Sequence, residues 1–170
     1  MRGRAGAELA PERATDPEAA REAALALLER TRRTRSDLVR RLRDKGYAAS
    51  VIEPVVERLV AVGLVDDVEY ARAFLASRWS RRSAGWRRLE LELRKRGIAT
   101  ADVAVARARI EAEMGVADDL SGARRVLSQV VRRYAALDPR TRRQRLYALL
   151  ARRGFDGEVI RRALDEDEDS

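Results

Sequence analysis

The sequence predicts an all-α chain: an elongated, right- or left-curved array of three tandem three-helix repeats. Three observations carry this expectation. Aromatic residues make up only 5% of the chain, so its cores must rest on Leu, Val, Ile and Ala, and Ala, Leu, Arg and Glu are all strong helix formers. No run alternates apolar with polar residues between hairpin turn signals, so no strand is expected. One pattern also recurs three times, as SDLVRRLRDKGYAASVIE, RRLELELRKRGIATADVA and RRQRLYALLARRGFDGEVIR.

Aligned on Gly46, Gly97 and Gly154, the three copies agree position by position. Eight residues before the glycine stand Leu38, Leu89 and Leu146, and four before it Leu42, Leu93 and Leu150. Leucines four apart share one face of a helix. Immediately before the glycine is a basic residue (Lys45, Arg96 or Arg153), suited to the negative end of a helix dipole. Immediately after it come Tyr47, Ile98 and Phe155. A glycine at C′ adopts a left-handed conformation without a Cβ penalty, and the apolar residue beyond it contacts the residue at C3. Each copy therefore reads as helix, tight turn, helix, with Ile52, Val103 and Ile160 on the second helix.

The elements follow in order. Residues 1–16 lack periodicity and balance three arginines against three acids, as a disordered tail would. The first unit, 17–65, opens with a helix over about 17–32 carrying Ala24, Leu27 and Leu28. Thr34 with Asp37 has capping-box spacing for the next helix, and Ser50 with Glu53 is expected to open the third. The second unit, 66–115, begins at the Asp66–Glu69 box and a helix over about 67–81 with Tyr70, Ala71, Phe74 and Leu75. The third, 116–164, begins with a helix over about 118–135, followed by Asp138 as N-cap with Pro139 at N1. Residues 165–170, DEDEDS, read as a separate acidic tail. Units of roughly 50 residues are marginal alone, so neighbours are expected to pack.

Composition narrows the function. With neither Cys nor His, the chain has no disulfide, no thiolate or imidazole zinc ligand, no cysteine nucleophile and no histidine base. No metal or other cofactor is expected. Residues 1–20 contain no apolar signal-peptide core, and the longest uncharged apolar run is Leu59 to Val65, so a cytoplasmic location without membrane contact is expected. Net charge is +8, and Asp165 to Asp169 hold five negatives, leaving +13 on the remainder. Nearly all of the positive charge is Arg, which suits bidentate contact with phosphate or carboxylate. A basic folded body points to an anionic partner.

The segment Gly63 to Ile98, GLVDDVEYARAFLASRWSRRSAGWRRLELELRKRGI, resembles the central signature of the RecX family of regulatory proteins. The matching features are the Leu-Val-Asp-Asp entry, Tyr70-Ala71, Phe74, Arg78, Glu92-Leu93 and Arg96-Gly97-Ile98. Thr34 to Leu38, Lys45-Gly46-Tyr47 and Arg153-Gly154-Phe155 extend the resemblance over about 20–164. Ser83-Ala84-Gly85 and Trp86 depart from it, since a smaller residue or proline is common where Trp86 stands. The resemblance implies tandem three-helix units and no catalysis. It also implies binding along the groove of a RecA recombinase filament, with inhibition of its ATPase and strand exchange. Contact with single- or double-stranded DNA is expected to be weaker and salt-sensitive, and the chain is expected to act as a monomer. A direct DNA-binding protein that needs no recombinase is the rival, because short helices joined by glycine turns also suit helix-turn-helix units.

Three basic strips are the candidate filament- or DNA-binding surfaces. Arg32, Arg33, Arg35, Arg40 and Arg41 lie in the first unit. Arg78, Arg81, Arg82, Trp86, Arg87, Arg88 and Arg94 form the basic-aromatic stretch of the second. Arg142 and Arg143 belong to the third. For each strip a solvated helix face is the alternative, and Trp79 and Trp86 suit either base stacking or packing between units. Asp66 and Asp67 read as helix-capping residues in preference to a cation site. Glu90 and Glu92, two apart on a helix, do not face each other as paired catalytic carboxylates would.

Overall fold

A computed structural model of the chain describes residues 10–79, 84–114 and 119–168. The described residues form helices α1 (Pro11–Ala14), α2 (Pro17–Arg30), α3 (Arg35–Asp44), α4 (Ala49–Ala61), α5 (Asp67–Trp79), α6 (Trp86–Lys95), α7 (Thr100–Met114), α8 (Asp119–Val130), α9 (Pro139–Arg152) and α10 (Gly157–Glu168), with a 3₁₀ turn at Val131–Tyr134. There is no strand among them.

The helices gather around three separate cores, as an array requires. The first holds Ala20, Ala24, Leu38, Leu42, Ile52, Val56 and Val65 from α2–α4 and the loop after them. The second holds Ala71, Leu75, Leu89, Leu93, Val103 and Ile110 from α5–α7. The third holds Leu120, Leu127, Leu146, Leu150, Ile160 and Leu164 from α8–α10. All six repeat leucines are buried, as are Tyr47, Ile98 and Phe155. Each such side chain taken out of water contributes about 1.5–3 kcal/mol before chain entropy is charged against it.

The repeat glycines end their helices in the same way. Gly46, Gly97 and Gly154 have φ of 93°, 79° and 86°. The Tyr47 amide donates to the Leu42 carbonyl at 3.1 Å, Ile98 to Leu93 at 3.3 Å and Phe155 to Leu150 at 3.3 Å. Each glycine amide donates one turn back, to Arg43, Arg94 and Ala151. This is the Schellman ending. A fourth, outside the repeat, closes α4 at Gly63, where the Leu64 amide donates to Leu59.

Several boundaries differ from expectation. Ser50 lies inside α4, whose N-cap is Ala48 with no side-chain cap, so the Ser50–Glu53 box does not form. Glu53 is drawn instead toward Arg35 and Arg43. The helix expected over 118–135 is α up to Val130 and then tightens into 3₁₀. Within the stretch read as a tail, Pro11 starts the short α1, and the Ala14 carbonyl accepts from the Ala48 amide at 2.9 Å. At the other end α10 runs on to Glu168, so the first residues of the acidic stretch are helical. Arginines of α8 and α9 hold them there.

Candidate functional site

The two joints between units are built on one plan, and the candidate arginines cluster around them. Count twelve residues back from a repeat glycine: Thr34 in the first unit, Gly85 in the second. The Thr34 hydroxyl donates to the Arg96 carbonyl at 2.9 Å, and the Gly85 amide donates to the Arg153 carbonyl at 2.9 Å. Each acceptor is the residue just before the glycine of the following unit. One residue on, the Arg35 amide donates to Asp67 Oδ1 at 2.8 Å and the Trp86 amide to Asp119 Oδ2 at 3.4 Å. Asp67 and Asp119 each open the first helix of the following unit, so that helix caps the exposed N–H groups of α3 or α6.

Close backbone approach completes both joints. A Cβ on Gly97 would overlap the Ser36 side chain, and one on Gly154 would overlap Arg88. A Cβ on Gly85 would overlap the Gly154 carbonyl and the Phe155 amide. Gly85 has φ −71°, which any residue can adopt, so packing alone demands glycine there.

Most of the candidate arginines already hold a carboxylate. Asp37 collects three: Arg33 at 2.9 Å, Arg41 at 2.8 Å, and Arg40. Burial pushes the Asp37 carboxyl up, but the hydrogen bonds from Arg41, Arg40 and Arg33 outweigh it and hold the group at about 2. Arg35 reaches Glu53 at 3.4 Å and Arg32 reaches Glu69 at 3.6 Å. In the second unit Arg78 and Arg88 share Glu92, at 3.9 and 3.3 Å, while Arg87 crosses to Asp156 of the third at 2.7 Å. Arg142 pairs with Asp167 at 3.1 Å and Arg143 with Asp165 at 2.6 Å. Arg94 is exposed and has no carboxylate partner among the described residues. Arg81 and Arg82, and the side chain of Trp79, lie outside the described residues.

The aromatics divide between core and joint. Phe74 is buried, with the Arg78 guanidinium 3.8 Å from its ring centre and that of Arg96 at 4.7 Å. Trp86 is half-buried under Arg107, 4.4 Å from its ring centre, and its amide belongs to the second joint. Tyr70 is half-buried against the same core as Phe74.

Asp66 caps α5 by accepting from the Glu69 amide at 2.8 Å, while the Glu69 carboxylate turns to Arg72. Burial raises the Asp67 carboxyl above its ordinary range, the Arg35 amide opposing this and Asp102 and Asp66 adding to it. Among the described residues no group of acidic side chains is arranged to hold a metal ion, and no helix is long and apolar enough to cross a membrane.

Beside each joint lies an open, arginine-rimmed groove. One, of about 630 Å³, runs between α3 and the Gly97 turn past Arg35, Arg40, Arg43 and Asp102. The other, of about 430 Å³, is lined by Arg78, Arg88, Glu92 and Arg153. Thr34 and Asp67 read from sequence as helix caps and Gly85 as part of a divergent turn, and none of these readings, nor any reading of Asp119, places them at a joint between units. A shared offset of twelve from the repeat glycine marks Thr34 and Gly85 as equivalent, but Asp67 and Asp119 have no common offset from theirs.

Three cores, two equivalent joints and ion-paired arginine grooves define a tandem three-helix-repeat scaffold. Profiles described as the first, second and third three-helix domains of RecX match residues 20–59, 66–106 and 117–164. The chain belongs to the RecX family of regulatory proteins. It is 38% identical over 157 residues to the regulatory protein RecX of Halorhodospira halophila, covering 89% of this chain and 92% of that one. It is 36% identical over 159 residues to that of Streptomyces coelicolor, covering 89% and 81%. A crystal structure of regulatory protein RecX superposes with a TM-score of 0.77 at 25% identity, covering 88% of this chain and 73% of that one. RecX from Lactobacillus salivarius shares the fold, with a TM-score of 0.79 at 19% identity, covering 91% and 97%.

Proposed function

We propose that this protein binds along a RecA nucleoprotein filament, inhibits its ATPase and strand exchange, and does so without catalysing a reaction. The observation that carries the reading is the repeated joint. Two consecutive joints tie equivalent positions, through a hydroxyl in the first and a backbone amide in the second, and in each a following amide is capped by an aspartate of the next unit, giving a body of set spacing. Such a body suits a partner whose subunits also repeat. Bound across neighbouring subunits, it stabilises whichever subunit arrangement it fits and opposes the changes that accompany ATP turnover. It can do this only to the extent that it binds one arrangement better than the other.

The exposed ion pairs support the reading, because each contributes at most about 1 kcal/mol and an arginine can leave such a pair for an acidic surface or a phosphate. The test is the single-stranded-DNA-dependent ATPase of the cognate recombinase with this protein added. The expected result is a saturable fall in rate, and an unchanged rate at saturating protein refutes the reading. Binding to DNA without recombinase distinguishes the rival: a weak, steeply salt-dependent affinity fits the filament reading, whereas a tight, sequence-selective one favours a direct DNA-binding protein.

A further inference from the structure

The last turn of α10 is electrostatically misplaced. Asp165, Glu166 and Asp167 stand at the helix end where the dipole is negative, beside one another, with no basic residue in that turn. Several other helices follow the opposite rule, α3 ending with Arg41 and Arg43, α6 with Arg94 and Lys95 and α9 with Arg152, whereas α7, with Glu111 and Glu113, shares the acidic ending. Three contacts offset the cost. Asp165 pairs with Arg143 at 2.6 Å, Asp167 with Arg142 at 3.1 Å, and Glu166 with Arg124. Three consecutive carboxylates thus occupy arginines drawn from two helices, α8 and α9.

We propose that Arg124, Arg142 and Arg143 form a phosphodiester-binding site for single-stranded nucleic acid, and that the acidic end of α10 is a displaceable occupant standing in for phosphates. Two further features favour a nucleic acid strand. Exposed Arg140 and Arg145 continue the positive charge along α9 on either side of the pair, giving a track longer than three carboxylates can cover. Tyr147, one turn beyond Arg143 on the same helix, is 39% exposed and offers a ring on which a base can stack. A bound strand takes the arginines from the carboxylates, and the last turn of α10, left with its own repulsion, unwinds. This site needs no recombinase, so its test is independent of the filament reading.

The experiment measures binding of a fluorescein-labelled oligothymidylate to the full chain by anisotropy from about 50 to 300 mM salt. The variant D165N/E166Q/D167N keeps size and shape but removes the competing charge. The control E12Q/E22Q/E29Q removes the same charge from exposed positions outside α10. The first variant is expected to bind about tenfold more tightly than wild type at low salt, and the gain should shrink toward 300 mM as salt screens the internal ion pairs that compete in wild type. The control should change little, and adding R124Q/R142Q/R143Q to the first variant should abolish the gain. Equal tightening in variant and control, or a gain that survives loss of the three arginines, would overturn the proposal. Unchanged oligonucleotide binding with stronger ATPase inhibition would overturn it as well, by assigning the arginines to an acidic protein surface.

Discussion

Asp37 shows how one carboxylate can organise a basic strip. It accepts from the Arg33, Arg40 and Arg41 guanidiniums while its own amide is capped by the Thr34 hydroxyl at 3.1 Å. Because its folded pKa lies near 2, below the ordinary 3.8, Asp37 contributes stability that is fully present above about pH 4. That contribution is lost as pH falls toward 2. Asp37→Asn is therefore expected to lower stability at pH 7 by about 1–2 kcal/mol. It should also flatten the acid limb, so that Tm plotted from pH 5 to 2 falls less steeply than in wild type. Parallel curves would show that the three arginines do not depend on its charge. Asp67 makes the opposite case, since burial disfavours its charge while the Arg35 amide uses its oxygen. Asp67→Asn keeps an acceptor and should cost little, whereas Asp67→Ala should cost about 1 kcal/mol through the lost cap, both read from urea midpoints.

At the scale of elements, local physics was readable and relations between units were not. The leucine pairs and glycine turns follow from contacts within one helix and its first residues beyond, so Leu42 with Tyr47 could be placed from spacing alone, and both are buried. The joints link residues far apart in sequence, Thr34 with Arg96 and Gly85 with Arg153, and no local pattern specifies which carbonyl a cap will find. Ion pairs one turn apart on a helix, Asp37 with Arg40 and Arg41 and Glu92 with Arg88, are legible from spacing, whereas Glu53 for Arg35, Glu92 for Arg78 and Asp156 for Arg87 approach from other helices or loops. Glycine substitutions separate the two kinds of information. Gly97→Ala meets both a left-handed backbone and Ser36, and should destabilise by more than the roughly 1–2 kcal/mol of the backbone term alone. Gly63→Ala has the same kind of backbone but no neighbour within 4 Å of the added methyl, so it reports the backbone term by itself. Thermal or urea unfolding should rank Gly97→Ala well below Gly63→Ala, and equal losses would mean that the joint adds nothing.

For the whole molecule, the question is whether the spacing of the units, beyond the units themselves, produces regulation. Gly85→Ser isolates that variable. Serine is at least as good an N-cap as glycine and the backbone at position 85 is unstrained, so α6 should form as well or better. Its Cβ, however, cannot coexist with the Gly154 carbonyl and the Phe155 amide, so the second joint must open or shift. Each unit keeps its own buried core through this change, because Leu89 and Leu93 pack within the second unit and Leu150 and Phe155 within the third. Far-UV circular dichroism should therefore match wild type. Hydrogen exchange should quicken at the amide of residue 85, which loses the Arg153 carbonyl as its acceptor. If the units must be held at a set distance to engage neighbouring filament subunits, inhibition of the recombinase ATPase should weaken by about tenfold or more, since a flexible link lowers the effective concentration of the second contact. Full inhibition by a chain whose joint has measurably opened would show that one unit suffices, and the two joints would then serve stability alone.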